Sequence, residues 1–175
     1  MLELERTFLA QSVPNDLRVH PHKKIVDLYV ANGTDHLDLR IRQHGDIYEI
    51  TRKRPVEGTD SSRQEEQTIP LEQTEFESLS LARGRKVEKT RYYYPYGTTN
   101  AEFDIFENEL AGLVLIDFEF KTEEDMSAFV LPDFCLAEVT QEAGIAGGVL
   151  AGKSYADIES QLQTYQYQKC FPQRE

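Results

Sequence analysis

The sequence predicts an α+β fold built on a largely antiparallel sheet, closed or strongly curved. Three observations carry this reading. Alternating apolar and polar runs follow one another with turn residues between them, and helical periodicity is confined to three segments. On several of the alternating runs the polar face also carries two charges of one sign. Side chains on a strand alternate between faces, so residues two apart point the same way.

The first run, LELERTFLA at 2–10, sets Leu2, Leu4 and Phe8 against Glu3, Glu5 and Thr7. Pro14 and Asn15 break it, and the apolar, β-branched KKIVDLYVA follows at 23–31. Between 36 and 55 two alternating runs flank Gly45-Asp46, a hairpin signal. Residues 85–96, 98–110 and 112–121 continue the alternation, and 135–140 adds a short strand. A helix is predicted over 70–83, with Pro70 in its first turn and Phe76 and Leu79 three apart. A second follows at 122–131, where Thr122 and Asp125 resemble a capping box ahead of Met126, Phe129 and Val130. In the third, 154–166, Ser154 and Asp157 cap a face of Tyr155, Ile158, Leu162 and Tyr165. The polar, turn-rich stretch 54–67 reads as an exposed loop. With no internal repeat or linker, residues 1–175 read as a single domain.

Composition narrows the function classes. Charged residues make up 29% of the chain and hydrophobic ones 39%, as in an ordinary globular protein. The formal net charge of −12 disfavours nonspecific attraction to nucleic acid or to an anionic membrane, so neither is expected as a partner. No stretch has the apolar length of a membrane span, and the N-terminus lacks a signal-peptide pattern. Cys135 and Cys170 lie far apart and fit reduced thiols, so a cytoplasmic location is expected.

The same-sign pairs are the main functional signal. Arg40 and Arg42 share a face, as do Lys89 and Arg91, and Lys53 stands beside Thr51 near the end of its strand. Glu3 and Glu5, Glu102 and Asp104, and Asp117 and Glu119 are the acidic counterparts. Such pairs repel modestly, so sheet stability does not ask for them. A solvated face is the plainer account of any one pair, but several pairs sorted strand by strand into acids and bases favour function. If the sheet closes, its interior is lined with cations on one side and carboxylates on the other. Five basic groups suit a multiply charged anion such as a phosphate chain, which arginine grips through its planar fork. Clustered carboxylates suit a hard divalent cation, usually Mg²⁺ or Mn²⁺ on phosphate substrates. Together they describe a metal–polyphosphate site. Two further patterns carry less. HPH at 20–22 has no second pair of zinc ligands nearby, and AGGVLAGKS matches a phosphate-loop spacing without the strand–helix unit that loop needs.

At these residues the chain resembles the CYTH superfamily of triphosphate tunnel metalloenzymes. The family's opening Glu-x-Glu-x-Lys strand is matched by Glu3 and Glu5, with Thr7 standing where the family has lysine. Its Arg-x-Arg, Thr-x-Lys-x-Pro and Lys-x-Arg segments are matched by Arg40 and Arg42, by Thr51, Lys53 and Pro55, and by Lys89 and Arg91. AEFDIFENELAGLVLIDFEF is similar to its acidic strands, and EVT at 138–140 to its bacterial members. The likeness covers roughly residues 2–152. It implies an eight-stranded antiparallel tunnel holding a triphosphate-containing small molecule in a charged lumen. By analogy Asp104, Asp117 and Glu119 hold a divalent metal, Mg²⁺ or Mn²⁺, and Glu3 and Glu5 serve a second metal or orient the attacking water. Arg40, Arg42, Lys53, Lys89 and Arg91 bind phosphate oxygens; Glu102, on the strand of Asp104, and Glu138 and Lys153 are further candidate site residues. Inorganic tripolyphosphate hydrolysis is the activity expected. The alternatives are a noncatalytic polyphosphate- or nucleotide-binding tunnel, a thiamine triphosphatase or an adenylate cyclase.

Overall fold

Eight strands close on themselves. In the computed structural model, which describes residues 2–30, 37–58, 60–82 and 84–171, they are β1 (Leu2–Ala10), β2 (His22–Val30), β3 (Leu39–His44), β4 (Ile47–Pro55), β5 (Arg63–Leu71), β6 (Gly84–Tyr96), β7 (Thr99–Phe106) and β8 (Val114–Phe120). They pair antiparallel in the order β5-β4-β3-β2-β6-β7-β8-β1, and β5 returns to β1 through Leu2↔Glu65 and Leu4↔Arg63. The closing seam is short, and Glu66–Leu71 of β5 pair with β4 alone among the described strands. A ninth strand, β9 (Cys135–Glu138), continues the seam by pairing with the far half of β1. Four α-helices surround the barrel: α1 (Gln73–Ser80), α2 (Glu123–Ser127), α3 (Gly147–Leu150) and α4 (Tyr155–Gln163). The β3–β4 turn forms at Gly45-Asp46 as the sequence predicts, with Gly45 at φ 62, a left-handed conformation that costs glycine little.

The stretch expected to be a loop, 54–67, holds the end of β4 and the first half of β5, and Pro70 sits in β5 rather than opening a helix. The reason is visible in the register. Gln64, Glu66, Thr68 and Pro70 alternate with Arg63, Glu65, Gln67 and Ile69, so a polar lumen on one side meets water on the other. Neither face is apolar, and the period-two signal that marks a half-buried strand is missing. Helix α1 begins three residues after Pro70, closed by a capping box between Glu72 and Glu75.

The usual polarity of a small barrel is inverted. Phe8, Phe103, Ile116 and Phe118 point away from the lumen and are fully buried, because the segment after α2 lays Phe129 and Phe134 over them. Ring centroids stand 4.5 Å apart for Phe118–Phe129 and 5.2 Å for Phe103–Phe134. On the other flank α1 sets Phe76 against Tyr48 of β4, 5.1 Å between centroids.

The apolar face that the sequence predicts for 154–166 does not join this outer packing. Leu9, Tyr29, Val87, Phe106 and Leu115 share strand faces with the charged residues, yet all are buried with Ile145, Leu150, Tyr155, Ile158 and Leu162. These lumen-facing apolar side chains, from β1, β2, β6, β7 and β8, gather at one end of the barrel, where α3 and α4 pack over them. The opposite end, where the β3–β4 turn meets the start of β2, carries no such cluster among the described residues. The packing depends on a close backbone approach. A Cβ on Gly148 would overlap the carbonyl oxygen of Leu37, and one on Gly147 would lie 2.6 Å from the Tyr29 hydroxyl. Gly148→Ala is therefore expected to destabilise the fold by about 1–3 kcal/mol, read as a lower thermal midpoint.

Candidate active site

The charged positions meet inside the barrel as one network. On β6, Lys89 donates to Asp104. Arg91 grips the same carboxylate with both prongs of its fork, Nε to Oδ1 and Nη2 to Oδ2, each at 2.7 Å. It also reaches Asp117 Oδ2 at 2.7 Å and donates to Glu102. Across the lumen, Lys53 Nζ stands 2.7 Å from Glu3 and 3.1 Å from Glu5. The five basic side chains Arg40, Arg42, Lys53, Lys89 and Arg91 are all 12–16% exposed, so the repeated charges do face inward.

Three lumen residues carry roles that strand patterning missed. Asp27 is 2% exposed and holds Arg42 through two hydrogen bonds of 2.6 and 2.8 Å, with Arg40 Nε 3.8 Å away. Its signal was present: an acid on the same face as Ile25 and Tyr29 in an otherwise apolar strand. Tyr29 accepts from Arg40 Nη1 at 3.3 Å. Tyr93, two residues past Arg91, pairs its hydroxyl with His44 at 2.9 Å. Two sequence candidates lie elsewhere. Glu138 is outside the barrel, paired with Arg6, and Lys153 lines a surface recess of 340 Å³ with Lys86 and Asp157.

Thr7 belongs to the deep layer beside the apolar cluster. Its Oγ1 donates to Asp117 Oδ1 at 2.7 Å, so the hydroxyl orients the carboxylate that Arg91 holds from the other side. The phosphate-loop look-alike resolves into something plainer: Ser154 and Asp157 form the capping box of α4.

The electrostatics divide the lumen. Burial alone would raise Asp104 and Asp27, but Arg91 and Lys89 at the first, and Arg42 and Arg40 at the second, hold both carboxyls well below the usual range. The other acids are crowded by their own kind. Burial and its acidic neighbours push Glu102 up to about 7 against the pull of Arg91. Burial and Glu5 push Asp117 up to about 7, again against Arg91, and burial with Glu3 and Glu5 raises Glu119. Among the described residues the carboxylates of Glu3, Glu5, Asp27, Glu66, Glu102, Asp104, Asp117 and Glu119 outnumber the five cations they face, an excess that a divalent cation would relieve. The donor set fits one. Glu3, Glu5 and Glu119 offer carboxylate oxygens all within 4.8 Å of one another, and buried Glu3 Oε2 lacks a well-aligned hydrogen-bond donor. Hard oxygen ligands of this kind suit Mg²⁺ or Mn²⁺.

Comparison with known proteins agrees with this geometry. The inorganic triphosphatase of Nitrosomonas europaea is 38% identical over 155 residues, which are 86% of this chain and 97% of that protein. A crystal structure of an inorganic triphosphatase superposes with a TM-score of 0.62 at 30% identity, covering 86% of this chain and 95% of its own. A Bacillus halodurans structure, 15% identical with a TM-score of 0.52 over 99% of this chain and 94% of its own, shares the fold alone. No family model matches the chain.

Proposed function

Because the chain belongs to the CYTH superfamily of triphosphate tunnel metalloenzymes, we propose that it hydrolyses inorganic tripolyphosphate in its lumen with a divalent metal, Mg²⁺ or Mn²⁺. The observation that carries the reading is the network itself: Arg40, Arg42, Lys53, Lys89 and Arg91 are each held by a carboxylate, in a barrel with an apolar cluster packed over one end. Substrate binding is then an exchange of partners. Phosphate oxygens draw Lys53, Lys89 and Arg91 from their carboxylates, which would then be free for the metal, and also meet Arg40 and Arg42. Asp27 keeps Arg42 in a fixed fork throughout, so little orientation is lost when a phosphate meets it.

Glu3, Glu5 and Glu119 form one metal pole, and Asp104 and Asp117 form a second once Arg91 turns to phosphate. The bound ion supplies charge neutralisation and polarises the phosphoryl group. The carboxylate oxygens of Glu3 and Glu5 that do not hold the ion would orient the attacking water, and one of them would accept its proton. The bond from the terminal phosphorus to its bridging oxygen breaks, and diphosphate leaves. Arg91 and Lys89 stabilise the charge that develops on the phosphoryl oxygens.

The test is phosphate release from tripolyphosphate, thiamine triphosphate and ATP, each with Mg²⁺ and with Mn²⁺. Turnover of tripolyphosphate above the other two, abolished by a chelator, is expected. Pyrophosphate with a cyclic nucleotide from ATP would indicate a cyclase, and binding without turnover a noncatalytic tunnel. A pH dependence accompanies it. Glu102 and Asp117, both near 7 when folded, bind protons more tightly than they do unfolded. Their contribution to stability is thus full below the ordinary carboxylate range and is lost as pH rises towards 7. Metal needs the deprotonated carboxylates, so calorimetry should show Mg²⁺ affinity rising across that window while the metal-free protein loses stability.

A further inference from the structure

A cavity of about 690 Å³ opens beside the tunnel mouth, where the start of β2 and the β3–β4 turn meet β6. His22, Lys23, Lys24, His44, Ile47 and Tyr92 line it. His44 separates it from the lumen, through its 2.9 Å hydrogen bond to the hydroxyl of Tyr93 on the lumen face of β6. Lys23 lies directly across the β2–β6 pairing from Arg91. The cavity therefore begins beside the strand pair that carries Arg91.

Its chemistry is cationic with one free charge. Lys24 is committed to Glu107 at 3.1 Å, whereas Lys23 is exposed and no carboxylate among the described residues pairs with it. Burial, Lys23, Arg42 and Arg91 together push His44 down to about 4, so a neutral imidazole sits in a positive field. Asp46 at the turn is the opposing charge on the lining. The aromatic face that could stack a base is already covered: His22 lies on Tyr92 with centroids 4.8 Å apart. The apolar cluster under α3 and α4 occupies the far end of the lumen, so a substrate longer than three phosphates would extend towards the end where this cavity lies.

We propose that the cavity is a subsite for an additional anionic group of the substrate, the fourth phosphate of a linear polyphosphate, held by Lys23. The proposal rests on the triphosphatase reading and adds a chain-length preference to it. Lysine meets phosphate as a point charge without demanding one geometry, which suits a flexible chain end.

The experiment compares tripolyphosphate and linear tetrapolyphosphate on the wild-type protein, Lys23→Gln and Ile47→Asp, at equal free Mg²⁺. Ile47 is 51% exposed, so a carboxylate there adds repulsion without disturbing the core. In each variant KM for tetrapolyphosphate should rise by about tenfold while KM for tripolyphosphate stays within about twofold. Equal shifts for both substrates, or none for either, would overturn the proposal. So would a loss for ATP as large as that for tetrapolyphosphate, which would give the cavity to the nucleoside instead. If the wild type releases no phosphate from tripolyphosphate, the triphosphatase reading fails. Calorimetric titration of the same three proteins with the two polyphosphates then still reads the subsite.

Discussion

Arg91→Met is expected to lower kcat/KM for tripolyphosphate by about 10³-fold or more and to destabilise the metal-free protein by about 3–5 kcal/mol. Both effects have one origin. Arg91 is the hub at which Asp104, Glu102 and Asp117 converge, and those three acids are buried or nearly so. Methionine keeps much of the volume of the stem but leaves three carboxylates facing one another, with Lys89 alone to compensate. Breaking a buried pair from one side strands the other charge, which costs far more than the pair contributes when intact. The same guanidinium is the cation best placed to meet phosphoryl oxygens, so the transition state loses its strongest charge-assisted contact. Thermal unfolding with and without Mg²⁺ separates the two effects, because metal on the stranded carboxylates should restore part of the lost midpoint and none of the turnover. Arg6→Met is the internal comparison. Its partner Glu138 is 41% exposed on the outer surface, where an ion pair is worth about 0–1 kcal/mol, so stability and turnover should barely change. Equal losses in the two variants would contradict the placing of Arg91 at the centre of the site.

Thr7→Lys is expected to raise kcat/KM for tripolyphosphate by about tenfold, a gain of the size one charge-assisted contact supplies. Thr7 lies in the deepest polar layer, where it faces Asp117 and neighbours Leu9 of the apolar cluster. Its hydroxyl orients Asp117 but brings no charge to a lumen already rich in carboxylates. A lysine there would pair with Asp117 in the free protein and turn to the terminal phosphate when substrate fills that end of the lumen. If the gain lies in KM, the new charge binds the ground state; if in kcat, it acts on the transition state. Thr7→Val gives the opposite limit. It keeps the shape, removes the hydrogen bond to Asp117 and should weaken metal binding measured by calorimetry. A folded Thr7→Lys protein with unchanged or lower kcat/KM would show that this position is not where the lumen lacks a cation.

How much of this was legible before folding differs element by element. Strands with one apolar face were readable, because alternation in β1, β3, β7 and β8 records a real division between a packed outer surface and a polar lumen. Strand β5 was not, because lumen and water are both polar and leave no contrast for a period of two to reveal. The five cations and the paired acids could be named from their spacing. Asp27 was hidden by its apolar neighbours, although the pairing of β2 with β3 sets it directly opposite Arg42.

The sequence alone therefore determined which side chains share a face and of what sign they are, since alternation is a local property of an extended chain. Tertiary structure decided who meets whom. Arg91 joins acids from β7 and β8, Lys53 joins acids from β1, and Glu119 comes to Glu3 and Glu5, contacts set by barrel closure and strand stagger rather than by any run of residues. It also decided what packs over one end of the tunnel. Leu9, Tyr29, Val87, Phe106 and Leu115 read in sequence as ordinary apolar positions, and only the docking of α3, where Gly148 lets backbone approach Leu37, and of α4 turns them into a floor. Pairings so distant along the chain are fixed by the global geometry of a closed sheet, which no local period encodes.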